Sequence, residues 1–195
     1  MPVDLLTFCI QNAASPVSIN KIYQRFKSMG KKVGKNSLYE FMDYFEDAYC
    51  VFTVPIYSHS RNKQSVNPRK IYVVDQGLII AYTIKPLFEE ASRLENTVFC
   101  KLRRMTEEVF YYKTRSGKEI DFLVVLPDGV RKLYQVCVSL SDPNTRKREL
   151  DAVCKAMEEL SFDKSTIVTI GNDEIIKCKQ GVIRCISLWK WLLSE

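Results

Sequence analysis

The chain is 195 residues long, which allows one large domain or two small ones. Its composition, 46% hydrophobic and 27% charged, is typical of a globular protein and excludes a wholly disordered chain. An apolar run such as Phe122–Leu126 is far shorter than the roughly 20 residues that a membrane-spanning helix needs. The N-terminus shows no secretory signal, so no membrane partner or export is expected.

The formal net charge of +6 is unevenly distributed. Residues 1–85 carry 11 Lys and Arg against 6 Asp and Glu, whereas residues 86–195 carry 18 against 17. A basic bias confined to one half indicates a polyanionic partner, and a solvated lysine-rich surface is the alternative. The seven cysteines include no CxxC pair, and the single histidine, His59, cannot complete a zinc set, so reduced thiols in a cytoplasm are expected.

Apolar residues at helical spacing predict three helices in the first half, roughly Val3–Ala14, Ser18–Gly30 and Asn36–Ala48. Two extended runs follow, Cys50–Tyr57 and Ile71–Asp75, separated by the polar loop Ser58–Lys70. Three helices followed by a hairpin with a basic loop are the order of a winged helix-turn-helix domain, which we predict over residues 1–85.

Basic and polar residues cluster in the turn before the third helix, in its first turn and in the wing. The candidate nucleic-acid-binding residues are Lys31, Lys32, Lys35, Asn36, Ser37, Arg61, Lys63, Arg69 and Lys70. The third helix also carries Glu40, Asp43, Glu46 and Asp47, which phosphates would repel. We therefore expect contacts to the phosphate backbone of DNA rather than base-specific readout. A docking platform for protein is the alternative.

Residues 30–37 contain two glycines and a lysine but do not form a phosphate loop. Only three residues separate the glycines, and Asn36 follows Lys35 where Ser or Thr would bind Mg²⁺. Since no other such stretch occurs, we expect no ATP hydrolysis by this chain alone.

The second half alternates between helical and strand patterns. The predicted elements are a helix near 90–105, a strand at 109–113, a hairpin that turns at Pro127–Gly129, a helix near 144–161, strands at 166–170 and 182–186, and a closing helix around Trp189–Trp191. This order predicts an α/β sandwich with a central mixed sheet over residues 86–195, and hence an α+β or α/β protein.

The hairpin carries the candidate chemistry. Strict alternation places Glu119, Asp121 and Leu123 on one face of the first strand and Ile120 on the other, while the second strand presents Gln135 and Cys137 together. Glu95 on the preceding helix could add a carboxylate, because Val98 and Phe99 place it towards the apolar side.

Metal-dependent phosphodiester cleavage needs hard oxygen ligands and a lysine near the attacking water. The candidate catalytic residues are Glu95, Asp121 and Gln135, of which Glu95 and Asp121 could bind Mg²⁺ if the site is active; no other cofactor is indicated. Gln135 offers only a neutral amide, and Cys137 stands where such a hairpin has a lysine. Both features argue against cleavage, unless Lys118 or Lys113 reaches the site.

Several segments together resemble a known family: Ile71–Leu78, Leu94–Arg104, Tyr112–Phe122, Gln135–Asp142 and Thr145–Leu150. They resemble the C-terminal region of archaeal and bacterial AAA-type ATPases, and the resemblance covers almost the whole chain. It implies a winged helix followed by a domain similar to the PD-(D/E)xK restriction endonuclease-like fold. It also implies an AAA-type ATPase domain as a partner, in the same chain or another.

Three hypotheses on function remain open. In the first, the chain is a nucleic-acid-binding module of an AAA-type ATPase with a degenerate, inactive nuclease-like domain. In the second it is a metal-dependent DNA nuclease with a displaced lysine, and in the third it is a protein-interaction or regulatory domain without nucleic acid.

Overall fold

The computed structural model describes residues 1–82 and 89–194. The helices are α1 (Pro2–Gln11), α2 (Ile19–Ser28), α3 (Lys35–Asp47), α4 (Arg61–Val66), α5 (Gln76–Tyr82), α6 (Glu89–Met105), α7 (Pro143–Leu160) and α8 (Leu188–Leu193). The strands are β1 (Pro16–Val17), β2 (Val51–Val54), β3 (Arg69–Val73), β4 (Val109–Lys113), β5 (Glu119–Val125), β6 (Arg131–Cys137), β7 (Lys164–Thr169), β8 (Glu174–Cys178) and β9 (Gly181–Ser187).

The chain forms two compact units. The first contains Met1–Pro55 and Ser60–Cys100, and the second contains Ile56–His59 and Lys101–Glu195. The boundary that the sequence predicts, at residues 85 and 86, lies outside the described residues. No helix of the described part combines the length and the apolar character that a membrane crossing requires.

The first unit packs helices on a small antiparallel sheet with strand order β1-β3-β2. Ser18 caps helix α2: its side chain accepts a hydrogen bond from the Lys21 N–H and so satisfies one of the free amides of the first turn. The apolar faces meet in a core to which Leu5, Ile22 and Leu38 each contribute fully buried side chains. Burial of each such side chain contributes about 1.5–3 kcal/mol.

The stretch between β2 and β3, predicted as a loop, contains the short helix α4. Ser60 caps this helix by accepting a hydrogen bond from the Lys63 N–H at 3.4 Å. Helix α4 has no buried residue, so the sequence offered no apolar periodicity from which to predict it.

The second unit is built on a six-stranded open sheet with strand order β4-β5-β6-β7-β9-β8. Strands β4, β5 and β6 are antiparallel neighbours, β6, β7 and β9 run parallel, and β8 returns antiparallel at the edge. The mixed sheet that the sequence predicts is therefore confirmed, in a protein of mixed α+β class.

Helix α7 covers one face of this sheet. Leu133, Ile167 and Ile183 from three adjacent strands join Val153 and Met157 of α7 in one buried cluster. Since strand residues alternate between faces, the residues between them on β6, β7 and β9 point to the other side of the sheet.

The β4–β5 pairing departs from strict alternation. Its register shifts between Phe110 and Tyr112, so Ile120 and Leu123 both belong to the cluster under α7. Alternation alone wrongly places Ile120 on the face opposite Leu123. A bulge of this kind adds one residue to a strand and re-aims the side chains beside it, here next to Asp121.

Candidate functional site

Asp121 and Gln135 lie together where the β5–β6 ladder ends. Regular pairing runs from Phe122 opposite Tyr134 to Val125 opposite Arg131. One step beyond, the Asp121 N–H donates to Gln135 Oε1 at 3.2 Å, and the Val136 N–H donates to Asp121 Oδ2 at 2.9 Å. The two side chains thus take the place of ladder hydrogen bonds, and both residues are buried.

Helix α7 adds a carboxylate that the sequence reasoning missed. Gln135 Nε2 donates to Glu149 Oε2 at 2.8 Å, and Arg148 donates to Glu149 Oε1 through Nη2 at 2.7 Å and Nε at 3.1 Å. Glu149 is only 8% exposed, and Arg148 and Gln135 together satisfy its charge and its lone pairs. The available signal was the helical spacing that puts Glu149 on the same stripe as Ala152 and Val153.

These residues line a cavity of about 260 Å³, together with Lys118 and Glu119. Lys118 pairs with Asp151, and this hydrogen bond lowers the pKa of the Asp151 carboxyl. Lys113 Nζ lies 3.4 Å from Glu119 Oε2. Lys118 and Lys113 are the two lysines that could take the place of the missing nuclease lysine. Of these, Lys118 reaches the cavity, but its ammonium is already paired with a carboxylate.

Cys137 stands at the position of the expected lysine and has different chemistry. Its thiol is buried and donates to the Ser139 carbonyl at 3.1 Å. Burial first, and then the nearby Glu149 carboxylate, raise the pKa of this thiol above its ordinary value. The group is therefore a neutral thiol at neutral pH and supplies no positive charge to a developing phosphorane.

Glu95 belongs to the first unit, whereas Asp121 and Gln135 belong to the second. Glu95 Oε1 accepts hydrogen bonds from Lys70 Nζ at 2.9 Å and from the Tyr72 hydroxyl at 2.6 Å. The inward placement of Glu95 thus serves a buried ion pair within its own unit, because Lys70 is only 2% exposed.

The donor set around Asp121 does not fit Mg²⁺. Asp121 Oδ2 accepts a backbone amide, and both oxygens of Glu149 accept from Gln135 and Arg148. Within residues 1–82 and 89–194, no three His, Cys, Asp or Glu side chains are arranged so that they could hold a metal ion. Mg²⁺ needs several carboxylate or water oxygens in octahedral geometry, and this cluster offers its oxygens to amides and a guanidinium instead.

The basic residues of the first unit fall into two groups. Lys31 pairs with Asp4 and lies 5.6 Å from the Phe26 ring, and Lys70 is buried against Glu95. The exposed group consists of Lys32, Lys35, Asn36, Arg61, Lys63 and Arg69, with Ser37 half-buried. Within the described part of the chain, none of the five cations in the exposed group forms an ion pair.

One of the acidic residues on α3 is held by its neighbours. Glu46 Oε1 accepts from the Thr53 N–H at 2.8 Å and from the Thr53 hydroxyl at 2.5 Å, and Arg69 donates to that hydroxyl at 3.1 Å. This chain of hydrogen bonds ties α3 to β2 and β3. It also places a guanidinium close to the Glu46 carboxylate and so reduces its repulsion of phosphate.

The fold and the site define a two-unit α+β protein. Its second unit carries a buried cluster of two carboxylates and one amide, Asp121, Glu149 and Gln135, at the end of the β5–β6 hairpin. Residues 92–191 match the family described as a domain of unknown function, DUF4143, and residues 3–87 match a second domain of unknown function, DUF8612. Because the first match covers more than half of the chain, the protein belongs to the DUF4143 family.

A curated relative extends the comparison to the whole chain. Uncharacterized protein MJ1544 of Methanocaldococcus jannaschii is 31% identical over 191 residues, which cover 93% of this chain and 42% of the relative. The chain thus spans about two fifths of the length of that relative. A search of the solved structures finds no match.

Proposed function

We propose that this chain is a nucleic-acid-binding module and that its first unit is a winged helix-turn-helix domain that contacts the phosphate backbone of DNA. The observation that carries the proposal is a set of exposed cations that form no ion pair with a described residue: Lys32, Lys35, Arg61, Lys63 and Arg69. The element order and the antiparallel sheet order β1-β3-β2 support a winged helix, with α4 lying in the wing connection.

The beginning of α3 is the part of this surface suited to phosphate. Gly34 caps the helix without a side chain, and Lys35 and Asn36 open its first turn. Free amides and a positive dipole end favour an anion at this position. The later turns of α3 carry Asp43 and Asp47, both exposed, which keep a polyanion away from the rest of the helix. Backbone contacts without base readout follow from this distribution.

The second unit is proposed to be a restriction endonuclease-like domain that does not cleave. The element order β4-β5-β6-α7-β7 supports this fold. The neutral Cys137 thiol and the internally bonded Gln135–Glu149 pair support the loss of catalysis. Incubation of supercoiled plasmid with Mg²⁺ or Mn²⁺ tests this. Nicking that Asp121→Ala abolishes would instead establish the nuclease hypothesis.

An AAA-type ATPase is the proposed partner. This rests on the resemblance of the sequence segments named above and on the fraction of the relative that the chain spans, 42%, which leaves room in that relative for a further domain. Titration of an ATPase domain from a protein of this family into the chain, followed by sedimentation velocity, tests the partnership. A complex is expected, and its absence at micromolar concentrations would contradict this part of the proposal.

The central experiment is a salt-titrated binding assay with duplex DNA. Each phosphate contact contributes about 0.9 to the slope of log K against log salt concentration, so Arg61→Ala with Lys63→Ala should flatten the slope by about 2. The loss should be equal for unrelated sequences. Lys177→Ala with Lys179→Ala removes two exposed cations of the second unit and serves as the control of equal charge. Binding that is absent at micromolar protein, or equally weakened by both pairs, would overturn the proposal.

A further inference from the structure

A second cavity lies on the face of the six-stranded sheet that α7 does not cover. It has a volume of about 420 Å³, and its lining includes Lys132, Tyr134, Thr166, Arg184 and Trp191. All of its lining residues belong to the second unit. Its volume falls within the range of about 300–1,000 Å³ that is typical of small-molecule sites.

The parallel register brings the polar residues of this cavity side by side. Tyr134 on β6 pairs with Thr166 on β7, and Thr166 pairs with Arg184 on β9. Lys132 and Lys164 lie two residues earlier on β6 and β7 and therefore share this face. Adjacent strands are about 4.8 Å apart and alternate residues about 6.7 Å, so the three cationic side chains start from backbone positions within about 12 Å of one another.

Several cations elsewhere in the second unit are paired with carboxylates. The pairs are Arg146 with Glu174, Arg148 with Glu149, Lys118 with Asp151, and Lys190 with Asp173. In the described part of the chain, Lys132, Lys164 and Arg184 form no such pair, although all three are exposed enough to reach an anion. Among the described residues, Asp163 is the one carboxylate that lines the cavity.

Lys101 also lines the cavity, but its ammonium is already engaged. It donates to the backbone carbonyls of Trp191, Leu192 and Ser194 at the end of α8. This lysine fixes the helix that walls the cavity, because a cation at a helix C-terminus satisfies the last carbonyls. The charge available for a ligand therefore comes from the strands.

Tyr134 is the second, independent sign of a ligand site. Its side chain is only 5% exposed and lines the cavity, and no hydrogen bond connects its hydroxyl to a described residue. Ser187 Oγ, and not the Tyr134 hydroxyl, is the sealed side-chain polar atom without a partner in the described part of the chain, so the Tyr134 hydroxyl is open to solvent in the cavity. An acceptor oxygen of a ligand can replace the water there. Its ring meets that of Trp191 edge-on at 5.7 Å, so aromatic surface borders the patch of cations.

We propose that this cavity binds a small phosphate-bearing molecule of the nucleotide class. Lys132, Lys164 and Arg184 pair with the phosphate oxygens, and the Tyr134 and Thr166 hydroxyls donate hydrogen bonds to them. The half-buried Phe162 ring also lines the cavity and provides apolar surface for a base, and the Arg131 guanidinium lies 5.3 Å from the centroid of this ring. This site is independent of the DNA surface proposed for the first unit.

Calorimetric titration of the full chain with ADP, ATP and inorganic pyrophosphate tests the site. Saturable binding of ADP is expected, and Lys164→Ala with Arg184→Ala should weaken it about a hundredfold, since each of the two charged hydrogen bonds is worth about tenfold or more. The control of equal charge, Lys177→Ala with Lys179→Ala, should leave the affinity unchanged. So should Arg61→Ala with Lys63→Ala, which separates this test from that of the DNA surface.

Two further measurements guard against a variant that fails to fold. Tyr134→Phe removes one hydroxyl and should weaken ADP binding about fivefold. In ¹H–¹⁵N spectra of the unaltered chain, ADP should shift the amide signals of Thr166 and Arg184. No binding of ADP or pyrophosphate at millimolar concentration, shifts confined to other residues, or affinity unchanged in the double variant would each overturn the proposal. Binding of a thymidine decamer without binding of ADP would also overturn it.

Discussion

The two faces of the six-stranded sheet differ in how their polar groups are satisfied. On the face under α7, Asp121, Gln135 and Glu149 are buried and bonded to partners within the unit. On the opposite face, the Tyr134 hydroxyl opens into the cavity and has no hydrogen-bond partner among the described residues, and Arg184 forms no ion pair with a described carboxylate.

The residues that resemble a nuclease site and the residues that are open to a ligand therefore lie on different faces of the sheet. The α7 face carries the residues that resemble a nuclease site, yet its oxygens are committed to an amide and a guanidinium. The opposite face carries no recognised motif and holds groups that a ligand would satisfy. Because Lys132, Lys164 and Arg184 form no ion pair among the described residues, the second face is better suited to an anionic ligand.

The largest expected effect concerns the backbone at the start of β9. Gly181 has a φ of +150°, and a Cβ there would lie 1.9 Å from the Asp163 carbonyl oxygen. Gly181→Ala should therefore lower the free energy of unfolding by about 3 kcal/mol or more, measured by urea denaturation. Gly129→Ala is the control, because φ is +81° but no atom lies within 4 Å; it should cost about 1 kcal/mol. Equal losses would show that the close approach of β9 to Asp163 is not rigid.

A carboxylate placed at position 135 tests the face under α7. Gln135→Glu puts a third acid beside Asp121 and Glu149 in a buried site and should cost about 2–3 kcal/mol at pH 8. Burial and like charge raise the folded-state pKa of the introduced carboxyl, so the native state binds more protons than the unfolded state. The loss is therefore absent below the unfolded pKa of about 4.3 and develops as the pH rises through the folded pKa.

Thermal unfolding at pH 5 and pH 8 measures this dependence. Gln135→Leu removes the same hydrogen bonds without adding charge, so its loss should be nearly the same at both pH values. A loss for Gln135→Glu that does not grow with pH would mean that water or a cation already screens the cluster.

Part of this architecture could be predicted from the sequence. Helices α6 and α7 have long apolar stripes, and the β5–β6 hairpin has a clear turn signal, so all three were predicted close to their observed bounds. Helix α4 has no buried face, and the register shift beside Asp121 leaves no mark in the residue pattern. Features held by capping or by pairing irregularities carry no periodicity to detect.

The cluster under α7 and the cavity on the other face of the sheet also differed in how far the sequence could predict them. Asp121 and Gln135 are hairpin neighbours, so local geometry predicted their encounter. Glu149 comes from a helix that the sequence could not orient against that hairpin. The cations at positions 132, 164 and 184 are at least 20 residues apart, and only the parallel order of β6, β7 and β9 brings them together. Long-range strand order was the missing information.

A matched pair of tyrosines compares a satisfied hydroxyl with an unsatisfied one. The Tyr112 hydroxyl donates to Glu159 Oε2 at 2.6 Å, and burial together with this carboxylate raises the pKa of Tyr112 to about 12. Tyr112→Phe should therefore lower the free energy of unfolding by about 1–1.5 kcal/mol. Tyr134→Phe should change it by less than about 0.5 kcal/mol in the absence of ligand. Urea denaturation of both variants makes the comparison, and a larger loss for Tyr134→Phe would show that its hydroxyl has a partner in the free protein.

The smallest effect concerns the attachment of α8, which walls the cavity. Asp173 accepts hydrogen bonds from Lys190 Nζ at 2.6 Å and from the Ser187 N–H at 2.8 Å, and these lower its pKa to about 2. A carboxyl with a lowered folded-state pKa stabilises the fold above its unfolded pKa, about 3.9, and this contribution is lost as the pH falls towards 2. Carboxyl ¹³C titration should thus place the Asp173 midpoint near 2, and Lys190→Ala should move it up. A midpoint near 4 in the unaltered chain would mean that solvent loosens this attachment, and with it the wall of the cavity that carries Trp191.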